Sequence, residues 1–313
     1  MKLYYTDHFE LPLPDGHRFP MDKYRMLRER VIATNSEFDP DDQPYELLVP
    51  DSANDEQLLR AHTAEYLRRV CSGDLTELDV KRIGFPWSPE LVVRSRYSTG
   101  ATVCAAHTAM KERIAANLAG GTHHAFAETA AGYCVFNDTV VAARELQAIG
   151  AVSQVLIVDC DVHQGNGTAE ICQGDDSIFT LSLHGERNYP FKKTESDLDV
   201  ALADRTDDEQ YLKSLRESLK LAESLMKASP EFVFYIAGAD PYLGDRLGRL
   251  SLTRQGLRLR DRVVCEFCVE RRIPMAISMG GGYANEFEDI VDIHFGTIEV
   301  ARNVFEESSR PIE

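Results

Sequence analysis

The sequence predicts an α/β fold in which a predominantly parallel central sheet has helices on both of its faces. Short apolar segments of β character alternate with longer segments of helical character along the 313 residues, and this alternation is typical of a parallel sheet with helical crossovers. No internal repeat or low-complexity linker interrupts the pattern. The length suits one large α/β domain, so we expect a single domain over residues 1–313.

The strands and helices are predicted from length, apolar pattern and flanking turn residues. Four short segments that are apolar on both faces predict buried strands: Val155–Val158, Ile178–Leu183, Phe232–Ala237 and Met275–Met279. Six longer segments predict helices: Asp22–Arg30, Asp55–Val70, Thr102–Asn117, Asp138–Ile149, Glu209–Ala228 and Thr253–Arg271. Asn137 or Asp138 is suited to cap the fourth helix, and Gly150 to end it.

The charge and hydropathy of the chain limit the classes of partner that it can be expected to bind. Thirty-four basic residues against 51 acidic ones give a net charge of −17, which disfavours nucleic acid and anionic membranes because phosphate binding needs Lys and Arg clusters. The acidic surface either steers cationic ligands or serves solubility alone. No apolar stretch approaches the ~20 residues that span a bilayer, and MKLYYTDHFE lacks a signal-peptide core. We therefore expect a cytoplasmic protein.

The seven cysteines do not predict a disulfide framework, because their number is odd and they are scattered along the chain. Cys265 and Cys268 form a CxxC pair in the helix-like stretch RQGLRLRDRVVCEFCVERR, and no second pair completes a zinc ribbon. We interpret this pair as helix packing, with redox chemistry as the less favoured alternative.

Potential metal ligands follow two of the predicted strands. In parallel sheets, ligands bind beyond the carboxyl ends of the strands. Asp161 and His163 come directly after the strand VLIV and lie on the same side, since they are two residues apart. Asp240 follows the strand FVFYIA. Two carboxylates and one imidazole are suitable zinc ligands, and three protein ligands leave a coordination position open, as in catalytic sites.

Two further strand ends have residues suited to catalysis. Gly280-Gly281-Gly282 allow the backbone to approach a ligand closely, and Tyr283 offers a hydroxyl donor. The adjacent His123 and His124 follow two glycines, and histidine is the natural general acid or base near neutral pH. Each motif alone has an ordinary explanation as a turn or cap. Four such motifs at four predicted strand ends make coincidence a poor explanation.

These motifs together resemble the histone deacetylase superfamily, which includes acetylpolyamine amidohydrolases and acetoin-utilisation proteins. The segments that resemble it are GGTHHAF, GYCVFND, DCDVHQGNG, SLH, AGADPYLGDRLGRLSLT and SMGGGY, within about residues 16–300. The form HQGNG, with Gly16-His17 and FPMDK at 19–23, is most similar to class IV deacetylases and their bacterial relatives. The resemblance implies an arginase-like α/β fold and hydrolysis of an acyl–amine bond.

The resemblance also implies roles for individual residues. One catalytic zinc would be held by Asp161, His163 and Asp240. A potassium ion below it would be bound by the side chains of Asp159 and Ser182 and by three backbone carbonyls, those of Asp161, His163 and Leu183. Tyr133 would form the aromatic wall of an acyl-lysine tunnel beside Gly132, with Gly281 and Gly282 near the substrate, and Lys23 would be the basic residue behind the site. For Tyr133, Ser182 and Lys23 an ordinary structural role stays open.

The expected mechanism is metal-assisted amide hydrolysis in which both histidines take part. His124 takes the proton from the attacking water, His123 paired with Asp159 gives electrostatic support, and Tyr283 donates to the oxyanion. Asn166 stands where class I enzymes have an aspartate, so it would orient His124 without stabilising its cation. We therefore expect His123 to be the more basic histidine. His62 and Tyr66 also fit a family pattern and are interpreted as helix packing.

Three functions are compatible with these residues. The leading one is a lysine deacylase that removes acetyl or longer acyl groups from proteins or peptides. The second is an amidohydrolase of acetylated polyamines or similar small molecules, which the acidic surface would suit. The third is a non-catalytic acyl-lysine-binding protein, which the complete set of ligands and Tyr283 disfavours. The oligomeric state is not predicted.

Overall fold

The fold is built around one eight-stranded sheet, and a computed structural model describes residues 1–9, 11–14 and 16–309 of the chain. The strands are β1 Lys2–Tyr4, β2 Glu46–Leu48, β3 Ile114–Asn117, β4 Val155–Asp159, β5 Ile178–Gly185, β6 Leu198–Leu202, β7 Phe232–Ile236 and β8 Met275–Ser278. Their order is β2-β1-β3-β8-β7-β4-β5-β6. Every strand pairing in the described residues is parallel, which confirms the predicted sheet.

Helices cover both faces of the sheet, as predicted. They are α1 Asp22–Asn35, α2 Asp55–Leu58, α3 Ala64–Ser72, α4 Glu77–Ile83, α5 Pro89–Glu112, α6 Asp138–Ala148, α7 Asn166–Cys172, α8 Asp208–Leu225, α9 Arg254–Glu270 and α10 Phe287–Ser309. Strand β4 shows why two layers are needed: Leu156 and Val158 pack into one hydrophobic cluster, Val155 and Ile157 into the other. Alternate residues of a strand face opposite sides, so a strand that is apolar throughout is covered on both.

The predicted buried strands are confirmed, with ends that differ by no more than two residues. The predicted cap is also confirmed: the Asn137 side chain accepts a hydrogen bond from the Val140 amide at 3.1 Å at the start of α6. Gly150, just beyond the end of α6, has a φ of +70°, a conformation that glycine adopts at little cost.

The predicted helix Thr102–Asn117 is wrong at both ends. Helix α5 begins at Pro89, where Ser88 caps it, and ends at Glu112. Ile114–Asn117 is instead strand β3, in the middle of the sheet. Arg113 separates the two elements with a φ of +72°. Because this turn uses an arginine where a helix usually ends in glycine, the sequence shows no stop signal there.

The predicted helix Asp55–Val70 is in fact two helices, because Thr63 caps a second start and accepts a hydrogen bond from the Tyr66 amide. Several elements were not predicted: strands β1, β2 and β6 and helices α4, α7 and α10. Three of these are edge or near-edge strands of three to five residues, and the others lie where no helix was expected. Of the missed strands, only β3, which was predicted as helix, ends at the predicted site.

Two other expectations concern the surface and the cysteines. Among the described residues, no helix combines the length and apolar character needed to cross a membrane. Cys265 and Cys268 lie in α9 with no exposed surface, inside one of the two hydrophobic clusters. Burial raises the pKa of the Cys268 thiol, which opposes thiolate formation. The location agrees with the packing interpretation. The domain boundary 1–313 stays a prediction, and residues 310–313 lie outside the described part.

Candidate metal centre and active site

A pocket of about 560 Å³ opens at the carboxyl ends of the central strands. The four predicted motifs follow β3, β8, β7 and β4, which are consecutive neighbours in the sheet. Parallel strands end at the same edge, so the four motifs converge there even though they are far apart in the sequence. The pocket is lined by residues of three of them, among which are His123, His124, Asp161, His163 and Tyr283.

Asp161, His163 and Asp240 form a compact cluster at the bottom of this pocket. One potential ligand atom from each residue lies within 4.8 Å of the other two. His163 Nδ1 lies 3.0 Å from Asp161 Oδ1 and 3.1 Å from Asp240 Oδ2. Asp161 and Asp240 are almost wholly buried, and the His163 side chain is 12% exposed. The spacing fits three donors around one small ion, with the partly buried imidazole on the pocket side.

The electrostatics of the cluster are unfavourable for the protein alone and suit a cation. Asp240 Oδ2 is buried and forms no hydrogen bond, although it lies only 3.1 Å from His163 Nδ1. Burial, followed by the neighbouring Asp161 carboxylate, raises the pKa of Asp240 to about 7. Two buried carboxylates side by side repel each other unless a positive charge lies between them. Two carboxylates, an imidazole and one unpartnered oxygen therefore fit a zinc ion.

The loops that hold the cluster are fixed from below by buried Arg260, which sequence analysis did not identify. Its Nη1 donates to the carbonyl oxygens of Gly238 at 2.6 Å and Cys160 at 3.3 Å, just before the two aspartates. Its Nε donates to Asp261 Oδ1 at 2.9 Å. Arg260 has no exposed surface. The contact joins helix α9 to residues up to 100 positions away, and no local pattern signals such a contact.

His123 is paired with a carboxylate, as predicted. Its Nδ1 lies 2.6 Å from Asp159 Oδ2, and the ring is 4% exposed. Burial alone would lower the pKa of His123, but the negative charges of Asp159 and Asp161 outweigh burial and raise the pKa to about 9. Asp159 Oδ1 accepts the Asp161 amide at 3.0 Å, so Asp159 also supports the ligand loop.

His124 has the same burial and a different partner. Its Nδ1 lies 2.7 Å from Asn166 Oδ1. Burial, followed by the nearby His123 and His163, lowers the pKa of His124 well below its ordinary value. A neutral amide cannot oppose these effects as a carboxylate would. The opposite directions of the two pKa shifts agree with the prediction that His123 is the more basic histidine.

A buried carboxylate fixes the loop on which both histidines lie. Asp138 accepts hydrogen bonds from the amides of Gly121 at 3.1 Å and Thr122 at 2.7 Å. Asp138 lies at the first turn of α6 and has no exposed surface. The residue belongs to the GYCVFND segment, but its role in orienting the loop was not predicted.

Tyr283 lies on another wall of the pocket. It is 9% exposed, its amide donates to Asp245 Oδ2 at 2.6 Å, and its carbonyl accepts from Arg246 Nε at 2.8 Å. Burial, with a smaller contribution from Asp240, raises the pKa of the Tyr283 hydroxyl well above its ordinary value. The hydroxyl therefore keeps its proton at neutral pH and can act as a hydrogen-bond donor in the pocket.

Three of the four residues predicted to contact substrate line the pocket: Gly132, Tyr133 and Gly281. A Cβ at Gly132, whose φ is +58°, would approach His124 Cδ2 to 2.5 Å. Gly281 donates its amide to Asp161 Oδ2 at 2.6 Å. Gly282 is the exception, because a Cβ there would meet Ile290 at 2.8 Å and Ala239 at 3.1 Å. Gly282 therefore packs against the protein interior and does not line the pocket.

Lys23 reaches the pocket from α1. It is 3% exposed, and its Nζ lies 3.4 Å from the Gly280 carbonyl oxygen and 5.7 Å from the centre of the Tyr283 ring. The predicted basic residue behind the site is thus close to the glycine-rich turn. The ring of Tyr189, which was not predicted, packs edge-on against His124 at 5.0 Å. Tyr189 lies in a loop with no helical or strand periodicity, so sequence analysis gave no signal for it.

The residues predicted to bind potassium lie next to each other in two paired strands. Asp159 of β4 is opposite Ser182 of β5 in the parallel register, and Leu183 follows. The Ser182 hydroxyl lies 3.0 Å from His184 Nδ1. All three predicted residues are buried below the Asp161 loop. This proximity is compatible with the prediction, and the ion itself stays a prediction.

The chain belongs to the histone deacetylase family. The family's sequence model, described as the histone deacetylase domain, matches residues 17–297. An uncharacterised protein of Picosynechococcus sp. is 41% identical over 301 residues, which cover 96% of this chain and 98% of that protein. Histone deacetylase 2 of Arabidopsis thaliana and histone deacetylase 1 of Homo sapiens are each 30% identical over 76% of this chain. The matches span 63% and 52% of those two proteins.

Solved structures share the fold. A histone deacetylase homologue from Aquifex aeolicus superposes with a TM-score of 0.81 at 24% identity, covering 98% of this chain and 87% of that one. A homologue solved in complex with SAHA gives a TM-score of 0.79 at 24% identity, covering 100% of this chain and 84% of the other. The resemblance inferred from the motifs is therefore confirmed, and the fold is that of the histone deacetylase hydrolases.

Proposed function

We propose that this protein is a zinc-dependent lysine deacylase that removes acetyl or longer acyl groups from lysine side chains of proteins or peptides. The observation that supports this most strongly is the Asp161–His163–Asp240 cluster at the bottom of the pocket, with both histidines and Tyr283 lining the same space. A binding protein would not need two acid–base groups and a protonated phenol around a metal site. Membership of a hydrolase family supports the same conclusion.

Asp161, His163 and Asp240 would hold the zinc ion. Bound there, zinc would supply Lewis-acid chemistry, polarising the amide carbonyl and lowering the pKa of a water molecule. We further propose that Asp159 and Ser182, with the carbonyls of the ligand loop and Leu183, bind potassium.

His124 is the proposed general base. Its low pKa leaves it neutral and able to accept a proton from the attacking water. His123, held by Asp159, carries positive charge beside it and stabilises the negative charge that develops at the carbonyl. A protonated histidine then delivers a proton to the leaving amine, which is otherwise a very poor leaving group.

Tyr283 is the proposed oxyanion donor. Its raised pKa keeps the hydroxyl protonated, and a donor that acts on the tetrahedral oxygen stabilises the transition state more than the substrate. Tyr133 and Gly132 form the wall along which the acylated side chain would extend. The products are a free amine and a carboxylate.

The substrate is proposed to be an acylated lysine, and the closest class is proposed to be class IV. The support for the alternative substrates, acetylated polyamines, comes from the net negative charge of the whole chain. The exposed cations Lys81 and Arg82, which line the pocket, support acyl-lysine over a cationic polyamine.

A series of identical peptides tests this function, each with one lysine carrying an acyl group from acetyl to myristoyl. Hydrolysis should be detected for at least one chain length, should stop when a chelator removes the metal, and should return with added zinc. Hydrolysis that continues after complete metal removal would exclude a zinc enzyme. Tight binding of the peptides without turnover of any acylated amine, with zinc bound, would favour the non-catalytic alternative.

A further inference from the structure

The pocket entrance differs in charge from the rest of the surface. The whole chain has a net charge of −17, yet Lys81 and Arg82 line the pocket from helix α4, and both are exposed. Asp161, a proposed zinc ligand at the bottom, is the one acidic residue among the described residues that line the pocket. Among the described residues, the exposed charged side chains that line the pocket are therefore both positive.

The two cations at the entrance are not neutralised by ion pairs. Within the described part of the chain, no carboxylate oxygen lies within 4.0 Å of Lys81 or Arg82. Asp79 of the same helix is paired with Arg69 and accepts from Thr76. Exposed cations without partners are free to pair with a ligand.

The last turn of α4 is fixed to the wall of the pocket. The Gly132 amide donates to the Arg82 carbonyl oxygen at 3.0 Å, and the Tyr133 amide donates to that of Ile83 at 2.7 Å. These contacts satisfy carbonyls that a helix terminus otherwise leaves unpaired. Cations near a helix C-terminus often serve only to stabilise that terminus, but here backbone donors already do so. The position of Arg82 is thus tied directly to the proposed substrate tunnel.

The chemistry of the two candidate substrates places different groups at this entrance. In acetyl-lysine, four methylene groups separate the amide from the peptide backbone. In N-acetylputrescine, four methylene groups separate the amide from an ammonium group. With the amide at the metal ligands in both cases, the ammonium of the polyamine would lie where the peptide backbone of acetyl-lysine lies. Both groups would be directed towards the exposed part of the pocket lining, which includes Lys81 and Arg82.

Local charge outweighs net charge at this distance. Electrostatic interactions are largely screened beyond about 8 Å at physiological ionic strength, so most of the acidic surface contributes little at the entrance. Exposed pairs in contact still change affinity by a factor of about 2 to 5 each. Leu78 and Leu247, which are 55% and 47% exposed and also line the pocket, offer apolar contacts for a peptide beside the cations.

We propose that Lys81 and Arg82 select acyl-lysine within an acidic peptide segment and reject cationic substrates such as acetylated polyamines. This inference rests on the proposed deacylase function and specifies its substrate class. Neither residue contacts the reacting atoms. Their contribution is to substrate binding at the entrance, and it should depend on salt.

The test compares three acetyl-lysine peptides that differ only in flanking residues, acidic, neutral or basic, together with N-acetylputrescine. The wild type should favour the acidic peptide over the basic one by about 10-fold in kcat/KM, as expected for two exposed pairs. The preference should shrink in 1 M salt, where the screening length is about 3 Å. N-acetylputrescine should be the poorest substrate.

A charge reversal isolates the two cations. The double variant Lys81→Glu/Arg82→Glu should prefer the basic peptide over the acidic one. The matched control is Lys213→Glu/Lys220→Glu, which changes the net charge equally at two exposed residues of α8 that do not line the pocket. The control should keep the wild-type order. Should the reversed variant fail to fold, Lys81→Gln/Arg82→Gln should abolish the preference.

Several outcomes would overturn the inference: equal rates for the three wild-type peptides, the same change in the control, or N-acetylputrescine hydrolysed as well as the acidic peptide. Failure of the deacylase function would look different, because no peptide would then be hydrolysed. In that case the dissociation constants of the acidic and basic peptides would still decide the inference, with tighter binding of the acidic one supporting it and equal binding refuting it.

Discussion

His123 and His124 are neighbours in the sequence, almost equally buried, and separated by 4.1 Å between ring centres, yet their pKa values shift in opposite directions. The partner at Nδ1 differs: a carboxylate of Asp159 faces His123, and an amide of Asn166 faces His124. Burial lowers the pKa of both rings. The charge of the partner, more than burial, therefore decides which histidine is protonated.

This difference suits the two rings to the different catalytic roles proposed for them. Two imidazolium ions in contact repel each other strongly, so a pair at this distance holds one proton more readily than two. The carboxylate at His123 draws that proton to His123 and leaves His124 neutral. One ring is then ready to supply positive charge and the other to accept a proton, and the same neutral pH suits both roles.

The largest expected effect is the loss of the proposed general base. His124→Ala should reduce turnover of an acyl-lysine peptide by about 100–10,000-fold, the usual contribution of general acid–base catalysis. His123→Ala should reduce it less, because electrostatic support is not the proton-accepting step. Single-turnover rates and zinc content for both variants make the comparison. An equal or larger loss in His123→Ala would assign the base to His123.

Asp159→Asn tests whether the carboxylate creates the difference. The change gives both histidines amide partners of nearly the same shape. Turnover should fall by about 10–100-fold, as for other residues that orient groups around a metal, and zinc content should fall less than turnover. Activity equal to that of the wild type would remove Asp159 from the mechanism.

Asn166→Asp tests the converse, with a smaller expected effect. A carboxylate facing His124 should raise its pKa, because the negative charge stabilises the imidazolium form. Because the base must be neutral to accept a proton, the acidic limb of the pH–rate profile should move to higher pH. The maximal rate should stay within about tenfold of wild type. A profile with an unchanged acidic limb would show that the titration of His124 does not control the rate.

A third buried histidine, outside the pocket, provides a case without a charged partner. His62 is 3% exposed; its Nδ1 lies 2.9 Å from the Phe126 carbonyl, and its Nε2 accepts the Asn137 amide. Burial lowers the pKa of His62 to about 4 from its ordinary 6.5. Between these values the unfolded chain binds more protons than the folded one, so stability should fall as the pH drops from about 6.5 to 4.

The expected loss through His62 is about 3 kcal/mol in the free energy of unfolding. His62→Gln keeps a hydrogen-bonding side chain and removes the titration, so its stability should depend less on pH by about this amount. Urea unfolding at pH 7 and pH 4.5 measures the difference, and His8→Gln, at an exposed position, is the control. The same pH dependence in His62→Gln and wild type would contradict the assignment. Turnover at neutral pH should change less in His62→Gln than in the variants of His123, His124, Asp159 and Asn166.

The sequence predicted the sheet and the site because both depend on local signals. Segments such as VLIV and FVFYIA are apolar on both faces, which marks a buried strand within a few residues, and the polar residues that follow must lie at one edge of the sheet. The positions of these strand ends predicted that Asp161, His163 and Asp240 converge, and the structure brings them together. The hydrogen-bond partners of the two histidines, Asp159 and Asn166, were predicted from the family resemblance and not from a local signal.

The missed features depend on contacts between distant segments or on unusual backbone. Strand β3 was predicted as helix because the break at Arg113 has a positive φ without a glycine. Arg260 supports the ligand loops across 100 residues of sequence, and helix patterns do not specify which carbonyl a buried arginine meets. Tyr189 lines the pocket from an irregular loop. Lys81 and Arg82 look like ordinary surface residues until the end of α4 is located at the pocket entrance.

The measurement that tests the central claim most directly is the kinetics of Tyr283→Phe. The claim is that this pocket performs amide hydrolysis, with Tyr283 stabilising an oxyanion that exists only along the reaction path. The variant keeps the ring, so stability, zinc content and affinity for an acyl-lysine peptide should be nearly unchanged, while kcat should fall by about 100–1000-fold. A kcat within about threefold of wild type, less than ~1 kcal/mol of barrier, would contradict the account.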